Sequence, residues 1–226
     1  KADMADPNAT ARWVQYYQKK NLPALPLDCK TGKGIKQFAP TVKNQLLKPL
    51  LEKRAKSGIV GVPIRLMIVG IPNVGKSSFI NRMAQSKKTK VEDRPGVTRT
   101  KQWVKIGDQM ELLDMPGVLW PKFDDQEVAK RLAFTGAIKD DIMDLESLAM
   151  LLLEFLAERY PAALENRYKM QISEASNGLQ LLEQLGRKRG MLISGGEVNY
   201  ERAAITLLDE FRSGTLGRLT LELPEA

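Results

Sequence analysis

The stretch Gly70-Ile-Pro-Asn-Val-Gly75-Lys76-Ser77 matches G-x-x-x-x-G-K-[ST] at every defined position. Glycines at the two ends let the backbone curl so that successive N–H groups point at phosphate oxygens. Lys76 then supplies a point charge for the outer phosphates, and the Ser77 hydroxyl is a hard oxygen ligand for magnesium. Downstream, Asp114-Met-Pro-Gly117 is a D-x-x-G. Its aspartate suits magnesium held through water, and its glycine N–H suits a terminal phosphate. Between the two lies Arg94-Pro-Gly-Val-Thr98, a polar segment whose threonine can close on magnesium, with Thr100 as the rival. The other reading of Gly70–Ser77 is an ordinary strand-to-helix turn.

Phosphate chemistry of this kind needs a strand before the loop and a helix after it. The apolar run Ile64–Val69 predicts the strand, and the pattern from about Gly75 to Ala84 predicts the helix. Upstream, a helix is expected over Thr10–Lys20, a buried strand over Pro23–Leu27 and a long helix over Ile35–Lys56 kinked at Pro49. Val104–Leu113 reads as a strand pair turning at Gly107-Asp108. Past Gly117 the pattern becomes helical. Helices are predicted over Gln126–Ile138, Leu145–Tyr160 with Asp144 as its N-cap, Leu179–Lys188 and Tyr200–Arg212. The expectation is an α/β wound sheet over residues 1–140, followed by a small all-helical C-terminal domain over 141–226, with one continuous domain ending in helices as the other reading.

The chain has 226 residues, one cysteine (Cys29) and no histidine. A disulfide scaffold, a structural zinc site and a histidine base within this chain are thereby excluded. The longest apolar run, Leu148–Leu153, is far too short for a bilayer span, and the basic run lacks a paired, strongly apolar face with aromatic anchors, so no membrane role is expected. Charge is unevenly placed. Residues 30–105 carry 18 basic and 3 acidic side chains, a net charge of +15, whereas residues 106–226 carry 13 and 21, a net −8. Lys43, Lys48, Lys53, Arg54, Lys56, Lys87, Lys88, Lys90, Arg99 and Lys101 make the middle segment either a solvated basic surface or a polyanion footprint.

With these motifs in hand, the chain resembles the YlqF/RbgA branch of circularly permuted bacterial GTPases, which assist assembly of the large ribosomal subunit. The resemblance spans nearly all 226 residues and includes Ile71–Ser77, Asp93–Thr98, Leu113–Lys122 and Thr135–Lys139. It implies that Lys1-Ala-Asp3 is the end of a guanine-reading N-K-x-D, with the asparagine just before Lys1. Asp3 would then accept from the guanine N1–H and amine. It further implies that Asp28-Cys29-Lys30 is the loop closing over the base, departing from Ser-Ala-Lys at its first two positions. Asn73, Val74, Gly75, Lys76, Ser77, Ser78, Thr98 and Gly117 would complete the GTP site. Lys76, Thr98 and Gly117 would act in catalysis, and Ser77, Thr98 and Asp114 (through water) would hold magnesium. A potassium ion at Asn73 is a further implication, beside the plainer reading of that residue as a helix-preceding cap.

Base motifs thus precede phosphate motifs, the permuted order. Val118 stands where many GTPases carry a water-orienting glutamine, so slow intrinsic turnover is expected. The family's catalytic histidine would lie before Lys1. The implied setting is cytoplasmic, the partners a precursor of the large ribosomal subunit and its rRNA, with ribosomal proteins as further contacts. Two other functions remain open at this point: a P-loop ATPase or kinase, and a non-enzymatic RNA-binding scaffold that holds nucleotide as a structural ligand.

Overall fold

The computed structural model describes residues 1–85, 102–106, 110–119, 124–173 and 175–225. They form two compact units, one of Lys1–Leu119 with Glu222–Ala226 and one of Trp120–Leu221. The division falls after Leu119 rather than near residue 140. The reason is the helix Gln126–Phe134, which buries Ala133 and Phe134 in one core with the later helices.

The first unit opens with α1 (Pro7–Lys19). It starts before the expected Thr10 because Asp6 caps it, Oδ1 accepting from the N–H groups of Asn8 at 2.7 Å and Ala9 at 2.9 Å, and because Pro7 suits a first helical turn. The expected strand at Pro23–Leu27 is irregular backbone. Pro23 and Pro26 have no N–H to give a ladder, although the Leu27 carbonyl accepts from the Ala2 amide at 3.0 Å. The long helix expected over Ile35–Lys56 is divided. It becomes α2 (Ile35–Thr41), a π-helical stretch (Val42–Leu46) and α3 (Lys48–Lys56). Pro49 lacks the donor a continuing helix needs and so sits in the first turn of α3.

Strands β1 (Ile64–Ile68), β2 (Gln102–Ile106) and β3 (Met110–Asp114) form a mixed sheet in the order β1-β3-β2. β3 runs parallel to β1 and antiparallel to β2. The turn expected at Gly107-Asp108 lies outside the described residues. Between β1 and β2 comes α4 (Lys76–Gln85), which buries Phe79, Ile80, Met83 and Ala84 with Val104 and Leu112. Phe79 meets Phe38 of α2 edge-to-face at 4.9 Å.

The second unit is built from α5 (Gln126–Phe134), a 3₁₀ turn (Asp140–Ile142), α6 (Leu145–Arg159), α7 (Pro161–Tyr168), α8 (Gly178–Lys188) and α9 (Tyr200–Ser213). Asp144 caps α6 as expected, accepting from the Glu146 and Ser147 amides. Leu152, Leu153, Leu156, Leu181, Leu182 and Leu207 are fully buried in its core. Glu210 gathers Arg167, Tyr168 and Arg189: its Oε2 accepts from Arg167 Nε and Tyr168 Oη, both at 2.8 Å, and its Oε1 from Arg167 Nη2 and from Arg189 Nη2 at 2.8 Å. Donation from Arg167 holds the Glu210 carboxyl below its usual range against the opposing effect of burial.

Two stability outcomes follow. A Cβ added at Gly186 would lie 2.3 Å from Val198 Cγ1. Gly186→Ala should therefore lower the unfolding midpoint of this unit despite alanine's better helix propensity, by roughly 1–3 kcal/mol in denaturant titration. Because Glu210 is depressed, its contribution is present above the ordinary glutamate value and lost as pH falls through the folded one. The stability gap between the native protein and Glu210→Gln should be flat above about pH 5 and narrow below about pH 4 in pH-resolved melts.

Candidate functional site

Parallel pairing of β1 with β3 sets Ile68 opposite Asp114. The loop after β1 and the D-x-x-G after β3 therefore emerge side by side at the carboxyl ends of parallel strands, where open α/β sheets bind ligands. The approach is close. A Cβ at Gly117 would lie 2.8 Å from Pro72 Cα and N and 3.0 Å from Lys76 Nζ, so only glycine fits there without movement. The Val118 N–H, whose side chain is 67% exposed, points to the Gly70 carbonyl at 3.4 Å.

Within the loop, Asn73 (φ 61°) and Gly75 (φ 100°) adopt left-handed backbone. That conformation curls the chain before α4. Lys76 opens α4 and its ammonium donates to the carbonyls of Gly70 at 3.0 Å and Ile71 at 2.9 Å. Val74 is exposed, and Ser77 and Ser78 occupy the first turn of α4. Asp114 is buried at the end of β3. Ser77 and Asp114 are the hard oxygen donors magnesium takes, so the residues present fit that ion. Among the described residues there is no group of three or more His, Cys, Asp and Glu side chains that would hold a metal by themselves. Thr98 lies outside the described residues.

The chain's first residues come to the same place. The Lys1 Cγ would be 3.8 Å from a Cβ at Gly75, so the K-x-D tripeptide borders the phosphate loop. Ala2 is tied to Leu27 by its amide, and Lys30 Nζ lies 3.4 Å from Asp3 Oδ2. That ion pair is exposed on the lysine side and contributes little energy by itself. Its value is positional, because it joins Lys1–Asp3 to Asp28–Lys30. Cys29 is half-buried, and burial pushes its thiol up, as expected for a small packed residue rather than a nucleophile.

Asp28 turns out to be a constructive substitution. Its Oδ1 accepts from the amides of Lys30 at 2.8 Å and Thr31 at 3.1 Å, and its Oδ2 from the Thr31 hydroxyl at 2.5 Å. These bonds, with Thr31 Oγ1–H first, hold the carboxyl below its usual range. The Thr31 carbonyl in turn accepts from Arg82 Nη2 at 3.2 Å. Thr31 and Arg82 were not evident as site residues in the sequence. The Asp-x-x-Thr spacing of a side-chain-capped turn was the available signal.

With this geometry in view, comparison with known proteins is decisive. A family model described as 50S ribosome-binding GTPase matches residues 65–177. Ribosome biogenesis GTPase A of Bacillus cereus is 45% identical over 226 residues, covering 100% of this chain and 75% of that protein. The chain belongs to the ribosome biogenesis GTPase A family. The family member from Thermotoga maritima is 28% identical over 225 residues, covering 100% of this chain and 74% of its own length. Among solved structures, GNP-bound YlqF from T. maritima matches with a TM-score of 0.61 at 26% identity, covering 100% of this chain and 79% of that one. A GDP-bound YlqF structure matches with a TM-score of 0.66 at 24% identity, covering 100% and 82%, a likeness of fold.

Gly117→Ala tests the crowded approach of the D-x-x-G to the loop. It should weaken binding of a fluorescent guanine nucleotide by at least about tenfold, read by anisotropy, because the added methyl displaces Pro72 or Lys76.

Proposed function

We propose that this protein binds GTP and hydrolyses it to GDP and phosphate as an assembly factor for the large ribosomal subunit. In this reading the GTPase unit has circularly permuted motif order. The carrying observation is the convergence of Lys1–Asp3, Asp28–Lys30, Gly70–Ser78 and Asp114–Gly117 at one end of the sheet, although the base-side segments come first in the chain. A P-loop ATPase or kinase gives no reason for the first two segments to meet the third.

Each residue then has a role. Asp3 accepts from the guanine N1–H and exocyclic amine. The Lys30 amide is committed to Asp28, so the Cys29 amide is the one offered to the guanine carbonyl. Lys1 packs its stem along the loop. Amides of residues 73–78 receive the phosphates, and the Lys76 ammonium exchanges the Gly70 and Ile71 carbonyls for phosphate oxygens, which are stronger acceptors. Ser77, Asp114 through water and Thr98 would hold magnesium, which would offset charge on the transferring phosphoryl group. The Gly117 amide meets the terminal phosphate. Val118 presents no group that orients water, so unaided turnover is slow, of the order of 10⁻⁴ per second seen in unassisted GTPases. Potassium at Asn73 is a further element of the proposal, supported by that residue's left-handed place in the loop.

The D-x-x-G segment ends where the helical unit begins. GTP-dependent ordering of that segment therefore has a covalent route into the helices. We infer that the GTP form docks on precursor rRNA and that hydrolysis releases it, in the cytoplasm; no described helix is long and apolar enough to cross a membrane. The basic segment over residues 30–105 supports a polyanion partner.

Asp3→Asn tests the base reading. An amide in place of the carboxylate reverses one hydrogen bond to guanine and matches xanthine instead. In competition assays GTP affinity should fall by at least about a hundredfold and xanthosine triphosphate should become the better ligand. An unchanged preference for GTP would remove Asp3 from the site.

A further inference from the structure

Three aromatic side chains on α1 belong to none of the apolar clusters of the described residues. Trp13 and Tyr17 stack with centroids 5.8 Å apart and planes at 27°. Tyr16 stands edge-on to Trp13 at 5.4 Å and to Tyr17 at 5.4 Å. Only Ala9 of this helix is buried, and Tyr17 keeps 41% of its surface in solvent. The helix thus spends its largest rings outside the core, where a purely structural role gains least from them.

The rings are held in fixed positions. Trp13 Nε1–H donates to the Glu222 carbonyl at 3.2 Å, and Lys20 Nζ lies 4.3 Å above the Tyr16 ring while donating to its hydroxyl at 2.5 Å. Beside them is a cleft of about 430 Å³ lined by Arg12, Tyr16, Lys19, Lys20, Pro224 and Glu225, among others. No acidic side chain occurs between Pro7 and Lys19. Among the described residues neither Arg12 nor Lys19 has an ion-pair partner within 4.0 Å. Among the described residues Glu225 is the cleft's one carboxylate.

We propose that this face of α1 is a stacking platform for single-stranded RNA, with a base on Tyr17 and the adjoining phosphates on Arg12, Lys19 and Lys20. Trp13 takes one face of Tyr17, which leaves its exposed portion for a base. Pre-positioned rings lose little side-chain freedom on binding. Cations flanking exposed aromatics are the combination that holds single strands without reading their sequence. Glu225 stands where a phosphate would come and opposes it. The cleft shares no lining residue with the nucleotide site, and the proposal depends on the function proposed above only in making RNA the expected class of ligand.

Binding of a fluorescein-labelled oligouridylate to the full chain tests it. The native protein should bind with strong salt dependence. Tyr17→Ala should weaken binding about tenfold, within the range for loss of one stacked base, and Tyr17→Phe should retain it. Arg12→Glu with Lys19→Glu should weaken binding and flatten its salt dependence, and Glu225→Gln should strengthen it. GTP affinity and melting temperature, measured on every variant, should stay at native values, so failure of the platform is separable from failure of the GTPase reading. The proposal is overturned if the native chain ignores the oligonucleotide or if Tyr17→Ala binds like the native protein. It is equally overturned if only an acidic protein partner, not RNA, is lost on charge reversal.

Discussion

The Asp28 carboxylate is the fixed point of the turn that meets the first residues of the chain. By accepting from two amides and a hydroxyl it sets the turn from Asp28 to Thr31. That turn brings Lys30 to Asp3 and the Thr31 carbonyl to Arg82. Arg82 lies on α4, the helix that opens with Lys76. One buried anion thereby connects the tripeptide at the start of the chain to the helix that presents the phosphate loop. Its cost of burial is offset because every oxygen is used.

A nucleotide is a rigid demand on such an arrangement, since its base and its phosphates need two loops at a set separation. Chain order does not matter to that demand. What matters is that parallel β1 and β3 end together, that Gly117 is small enough to approach Pro72, and that Ala2 and Lys30 anchor the first residues beside Gly75. In the same connectivity the D-x-x-G comes last in the first unit, just before the chain enters the helical one.

What could be read in the sequence was local. The phosphate loop, its strand and helix, β2 and β3, and the Asp144 cap each follow from a short pattern whose physics is complete within a dozen residues. Longer patterns are overridden by single residues. Apolar spacing from Phe38 to Leu51 runs on without a break, yet the missing donor of Pro49 ends one helix and starts another. Pro161 likewise begins α7, a helix that composition did not announce. Pro23 and Pro26 cancel a strand that hydrophobicity favoured. Asp28 looked like a departure from Ser-Ala-Lys because its partners, Thr31 and then Arg82, declare themselves only in three dimensions. The unit boundary was displaced because Ala133 and Phe134 gain their burial from helices far along the chain.

Isothermal titration calorimetry of the native protein with GTP and with ATP, in magnesium buffer, addresses the central claim most directly. The account predicts one site that prefers GTP over ATP by at least about a thousandfold, since adenine turns an N1 acceptor toward the Asp3 carboxylate and has no 2-amino group to donate to it. Equal affinities, or a preference for ATP, would contradict it.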